Sequence, residues 1–145
     1  MNNKLGGWLI VVAIDLIILS LIFLYLIYER ISVLGDPSYS SIFIEIPFMP
    51  TLLIIEIIRY AVYFSFAIYI TIYFFKRDNR FPKMFTIFLI TNAIIGILNM
   101  FVEINTYGET SNYSGFWGLL RGFGHAAIWI IYMKKSDRVK STFVN

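Results

Sequence analysis

No cysteine occurs in this chain, and histidine occurs once. Disulfides, thiolate metal sites and cysteine nucleophiles are therefore excluded. One imidazole with scattered carboxylates makes a poor transition-metal site. Charge is scarce as well, at 14% Asp, Glu, Lys and Arg, against about a quarter in an ordinary soluble domain. A phosphate-cradling glycine loop, an H-E-x-x-H pair and a G-x-S-x-G elbow are all missing. Most hydrolytic triads cannot be built from such a set. An aspartyl dyad would need a partner for Asp15, and the intramembrane carboxylates Glu56 and Glu103 fall toward the opposite membrane face. The expectation is a non-enzymatic protein that needs no cofactor.

What the chain has in abundance is apolar surface. Of its 145 residues 59% are hydrophobic, and its mean hydropathy is +0.74. The length suits a single domain over residues 1–145. The apolar residues gather in four runs, about 5–28, 51–75, 84–104 and 116–133, each long enough to cross a hydrocarbon core. An open chain in lipid must satisfy its own backbone polar groups, so helix is the reading despite the many Ile and Val. The predicted fold is an all-α membrane protein, a four-transmembrane-helix bundle. The net charge of +3 does not imply nucleic acid, because the basic residues sit in short loops beside the apolar runs.

Those basic residues set the orientation. The 76–83 turn carries Lys76, Arg77, Arg80 and Lys83; the 134–145 tail carries Lys134, Lys135, Arg138 and Lys140; Lys4 precedes the first run. The 29–50 and 105–115 segments together carry only Arg30. Nine against one places both termini and the 76–83 turn in the cytoplasm, with the two larger loops outside. The first run is too long for a signal-peptide core and lacks a small-x-small cleavage site, so it reads as a retained helix. Trp8, Tyr25, Tyr28, Trp117 and Tyr132 lie near predicted helix ends, as an interfacial aromatic belt requires. In the outer loop, Gly35-Asp36-Pro37-Ser38 reads as a turn. The apolar stretch from Ile42 to Pro50 reads as an interfacial lead-in to the second helix, with a lid or docking segment as the alternative.

Polar residues inside the spans carry the most information. An ionised side chain near the centre of a spanning helix costs about 2.5–3.5 kcal/mol on insertion scales. Asp15, Glu56, Arg59, Arg121 and His125 stand there, with Glu103 near an outer end. Glu56 and Arg59 are three apart and share a helix face. Arg121 and His125 are four apart, on the face that also holds Gly118 and Gly122, a small-x-x-x-small pair suited to close helix approach. Asn92, Gly96, Asn99 and Glu103 form one stripe on the third helix. The topology puts Glu56, Arg59, Asn99, Glu103, Arg121 and His125 in the outer half, and Asp15 and Asn92 deeper. The expectation is an outer-leaflet polar cluster, with Gly96, Gly118 and Gly122 as packing positions. The asparagines read as register-setting hydrogen bonders, and His125 as a hydrogen-bonding partner rather than a metal ligand.

Several stretches look like a known family. They are Gly6-Gly7-Trp8-Leu9; Phe74-Phe75-Lys76 with Arg80-Phe81-Pro82-Lys83; Leu120-Arg121 with Ala126-Ala127-Ile128-Trp129-Ile130-Ile131-Tyr132; and Lys135-Ser136-Asp137-Arg138-Val139-Lys140-Ser141-Thr142-Phe143-Val144. Together they resemble the DUF2569 family of small bacterial membrane proteins, the tail being the specific part. The resemblance implies a bacterial inner or plasma membrane and four helices, and it brings no assigned activity and no functional residues. The functional expectation is a binding or accessory subunit in the lipid bilayer, associating with a membrane-protein partner, a second copy or an envelope ligand. A small oligomeric transporter using Asp15 as carrier is the alternative. The basic tail reads as an anchor at anionic headgroups, or alternatively as a peptide that docks on a cytoplasmic partner.

Overall fold

The computed structural model describes residues 7–107 and 112–144, and side chains outside 102–116. All regular structure among them is helical: α1 (Trp8–Gly35), a 3₁₀ turn (Pro37–Tyr39), α2 (Ser40–Glu45), α3 (Met49–Lys76), α4 (Phe81–Tyr107), α5 (Asn112–Lys135) and α6 (Asp137–Thr142). Helices reach further than the apolar runs. α1 continues past Tyr28 to Gly35, and much of the 29–50 segment is helical. A helical backbone closes its own hydrogen bonds wherever it lies, so the end of an apolar run is not the end of the helix.

Proline does the punctuation. The chain's four prolines, Pro37, Pro47, Pro50 and Pro82, all stand at helix boundaries. Asp36, before Pro37, is pushed into extended backbone at φ −90° and ψ 115° and stops α1. Ile46, before Pro47, closes α2. Pro50 and Pro82 each occupy the second position of a helix, where a missing N–H is no loss. α3 ends at Arg77, which takes a left-handed φ of 56°, and the next helix begins four residues later.

The helices fall into two compact units, one built on Lys4–Phe75 and the other on Lys76–Asn145. In the first, α1 buries Leu9, Val12, Leu16, Ser20 and Phe23, one stripe at helical spacing. α3 buries Leu53, Tyr63, Ala67, Ile70 and Phe74. Phe23 joins the two by stacking on Tyr63 at 5.5 Å between centroids, with Tyr60 at 6.4 Å. In the second unit α4 and α5 pack against each other. A Cβ built on Gly96 would lie 3.0 Å from the Leu119 Cδ2, so hydrogen at that position is what admits the leucine.

The tail is part of this second unit. The Ser136 side chain caps α6 by accepting from the Val139 N–H at 3.3 Å. Val139, Thr142 and Phe143 are buried, and the Phe143 ring stacks on Phe81 at 4.7 Å, which in turn stacks on Phe85 at 5.5 Å. Val139 and Phe143 are thus buried within the chain, while Val144 stays exposed. The basic Arg138 and Lys140 stay exposed.

Among the described residues, three helices, Trp8–Gly35, Met49–Lys76 and the stretch Phe81–Phe101, are long and apolar enough to cross a membrane. Only about a fifth of each is buried within the protein, and Ile, Leu, Val and Phe side chains cover much of the rest. Six of their hydroxyl and amide side chains bond to their own helices. Ser20, Ser65, Thr71, Thr86 and Thr91 each donate to the carbonyl four residues back, at 2.7–2.9 Å, and Asn92 does the same to Phe88 at 3.0 Å. That is how lipid-facing polar groups avoid an unpaid desolvation.

Candidate functional site: an ion-pair cluster between two helices

The first unit holds the best-defined polar site. Arg30 sits five residues before the end of α1, and Glu56 seven residues after the start of α3. At 1.5 Å per residue these lie about 8 Å and about 10 Å from their helix ends. Two helices joined by the short 36–48 segment bring them to one level. The Arg30 Nε lies 2.6 Å from Glu56 Oε2, and the Arg59 Nη2 donates to Glu56 Oε1 at 3.2 Å. Each carboxylate oxygen of Glu56 thus faces a different guanidinium. Arg30 also donates to Glu29 Oε1 at 3.1 Å through Nη1. The Arg59 guanidinium lies 4.7 Å from the centre of the Tyr60 ring, a cation–π contact.

Two arginines and two glutamates balance, so the cluster is neutral. Arg30, Glu56 and Arg59 are all largely shielded, Arg59 most at 16% exposure. The Glu56–Arg59 pairing follows from their spacing alone. Arg30 does not, because it lies beyond the predicted end of the first span. The signal available was the helical continuation: Glu29-Arg30 precedes the first helix breaker, Pro37, by a full two turns. Tyr60 follows from Arg59 only once the side-chain directions are known.

The remaining expected residues divide by unit. Asp15, in mid α1, is half-buried and not without a partner. Asn99, Arg121 and His125 belong to the second unit. Asn99 is half-buried and also engaged, and Arg121 is exposed. Glu103 lies on α4, but its side chain is outside the described residues. His125 accepts a hydrogen bond at Nε2 from the Trp129 indole at 3.0 Å, one turn along α5, with the rings edge-on. An indole N–H only donates, so this bond requires the unprotonated nitrogen. Of the three glycines, Gly96 meets Leu119, while a Cβ at Gly118 or Gly122 would meet no atom within 4 Å.

Outside the spans two carboxylates are tuned by short turns. Asp36 Oδ1 accepts from the backbone N–H and hydroxyl of Ser38, at 2.9 Å and 2.8 Å, which hold the carboxyl below its usual range. The Arg80 side chain and backbone do the same for Asp78, at 2.8–3.0 Å. Beside Asp36 a cleft of about 240 Å³ opens between the end of α1 and the 3₁₀ turn. Among the described residues no three metal-ligating side chains converge.

Neither the curated proteins nor the solved structures contain a match to this chain. A family model described as a protein of unknown function, DUF2569, matches residues 2–144, so nearly the whole sequence is covered, and the chain belongs to that family.

Proposed function

We propose that this protein crosses a bacterial inner membrane four times, with both ends in the cytoplasm, and acts as a non-catalytic binding subunit. α5 is the fourth crossing. Its 24 residues span about 36 Å as a helix, it packs along the membrane-competent α4 through mid-helix Gly96 and Leu119, and it ends in Lys134 and Lys135. A fourth crossing returns that basic end and the basic tail to the side of the 76–83 turn, as the positive-inside bias demands.

The observation that carries the binding role is the neutral Glu29–Arg30–Glu56–Arg59 cluster, with Glu56 at its centre. Its carboxylate is committed on both oxygens, which suits a fixed recognition surface and not a proton-transferring base. The apolar helix faces supply the area for a membrane-protein partner or a second copy, and the exposed Gly118 and Gly122 permit close approach of another helix. Crosslinking and mild-detergent pull-down from native membranes test this, comparing wild type with Arg59→Ala and Arg121→Ala. A reproducible partner that is lost in the variants is the expected result. Self-crosslinks alone would overturn the partner reading in favour of a homo-oligomer.

The half-buried Asp15, deep in α1, favours a second reading as a small oligomeric ion or proton pathway. Proteoliposome uptake that survives Asp15→Asn would refute it.

A further inference from the structure

The cleft at the end of α1 has a composition that selects its ligand. Tyr25, Tyr28, Glu29 and Ser32 line it from the last turns of α1. Asp36 and Tyr39 close it from the turn that Pro37 forces back over the helix. Three phenol rings and two carboxylates therefore surround about 240 Å³. Both Ser38 hydrogen bonds to Asp36 land on Oδ1, and the single Arg30 contact of Glu29 lands on Oε1. Oδ2 of Asp36 and Oε2 of Glu29 are left to accept. Ionised carboxylates only accept, and aromatic faces attract cations. The chemistry fits a compact organic cation with N–H or N–CH groups and repels an anion.

The depth of the cleft names its source. From Trp8 to Tyr28 is twenty residues, about 30 Å of helix, which equals one hydrocarbon core. With Trp8 at one interface, Tyr25, Tyr28 and the cleft fall in the headgroup layer of the other. Tyr28 is 70% exposed and Tyr25 64% exposed, with Ile31 beside them also exposed. The opening is thus flanked by surface that lipid would cover. Resting on the membrane placement above, we propose that this cleft binds the ammonium headgroup of a zwitterionic phospholipid, held by Asp36 and Glu29 and stacked against Tyr25, Tyr28 and Tyr39. The placement at headgroup depth holds for either leaflet.

The test uses the full chain in mild detergent with equimolar phosphatidylethanolamine and phosphatidylglycerol, read by native mass spectrometry. Phosphatidylethanolamine should be retained in about tenfold preference, the scale of a few cation–π and charge contacts. Tyr28→Leu, at an exposed position, should bring the ratio to parity with the thermal melt unchanged, and Asp36→Asn, which keeps an acceptor for Ser38, should do so with at most a small fall in the melt; Glu29→Gln provides a third variant. Ethylammonium chloride separates the two sources of the same group. Displacement of the lipid at millimolar concentration shows that the ammonium alone is recognised and makes a soluble amine sufficient. Undiminished retention shows that the lipid as a whole is bound. Parity in wild type, or a preference that survives all three variants, overturns the proposal. A thiol label on Ser38→Cys, unique in a cysteine-free chain, reports the leaflet separately. Labelling from the cytoplasmic side would refute the orientation and leave the lipid preference to be judged on its own ratio.

Discussion

Replacing Glu56 with glutamine tests the cluster most directly. The side chain keeps its shape but loses the charge that two guanidiniums share, at 2.6 Å and 3.2 Å. Exposed ion pairs contribute about 0.2–1 kcal/mol, and removal of one partner from a buried pair costs about 3–5 kcal/mol. Here Glu56 is 28% exposed, Arg30 27% and Arg59 16%, which lies between those limits. The expected loss is about 2 kcal/mol, because Arg30 and Arg59 are left as like charges without a common counter-ion. Unfolding by SDS in mixed micelles, followed by circular dichroism, measures it. The double variant Glu56→Gln with Arg30→Gln supplies the control. It should recover part of the loss, with a coupling of about 1 kcal/mol for residues in direct contact. A single variant within about 0.5 kcal/mol of wild type, the range of ordinary surface changes, together with zero coupling, would refute the shared-carboxylate reasoning.

Other consequences follow from the second unit. Gly96→Ala should destabilise by about 1 kcal/mol, as the new Cβ displaces Leu119. Gly118→Ala should instead stabilise by up to about 1 kcal/mol, since it meets no neighbour and gains helix propensity; equal effects in the same unfolding assay would contradict the packing described. Phe143→Ala removes a buried ring from Phe81 and should cost about 3 kcal/mol, with faster protease cleavage after Lys135 as the local readout; an unchanged cleavage rate would mean that the tail is not held there. Asp78 has its carboxyl lowered first by the Arg80 side chain and then by its backbone N–H. A lowered carboxyl stabilises the fold above its ordinary value of 3.8 and loses that contribution as pH falls through the lowered one. Asp78→Asn should therefore flatten the acid limb of the stability profile below about pH 4 and leave the neutral region with no pH slope of its own.

Much of the architecture was legible because it depends on local chemistry. Apolar run length marked the membrane-competent helices, proline marked where they break, and the three-residue spacing of Glu56 and Arg59 marked their pairing. The seryl, threonyl and asparaginyl bonds to carbonyls four residues back are equally local, and the Asn92 bond to Phe88 stays within α4. The end of α1 lies beyond the first apolar run for a reason of the same kind. Hydropathy falls at Glu29 because charged residues begin there, while the backbone continues as helix until Asp36 is turned out by Pro37.

By itself, then, the sequence determined the long apolar helices, the turn at Pro37, the charge asymmetry and the family. The tertiary structure alone decided who meets whom. Arg30 joins Glu56 because two helix positions share a height across the α1–α3 turn, and Phe143 stacks on Phe81 because α6 folds back over the start of α4. Gly96 faces Leu119 while Gly118 and Gly122 face no neighbour, although all three looked alike as small residues on a stripe. Spacing along one helix determines which residues share a face. Which face meets another helix, and at what level, depends on rotations and offsets that no single segment encodes.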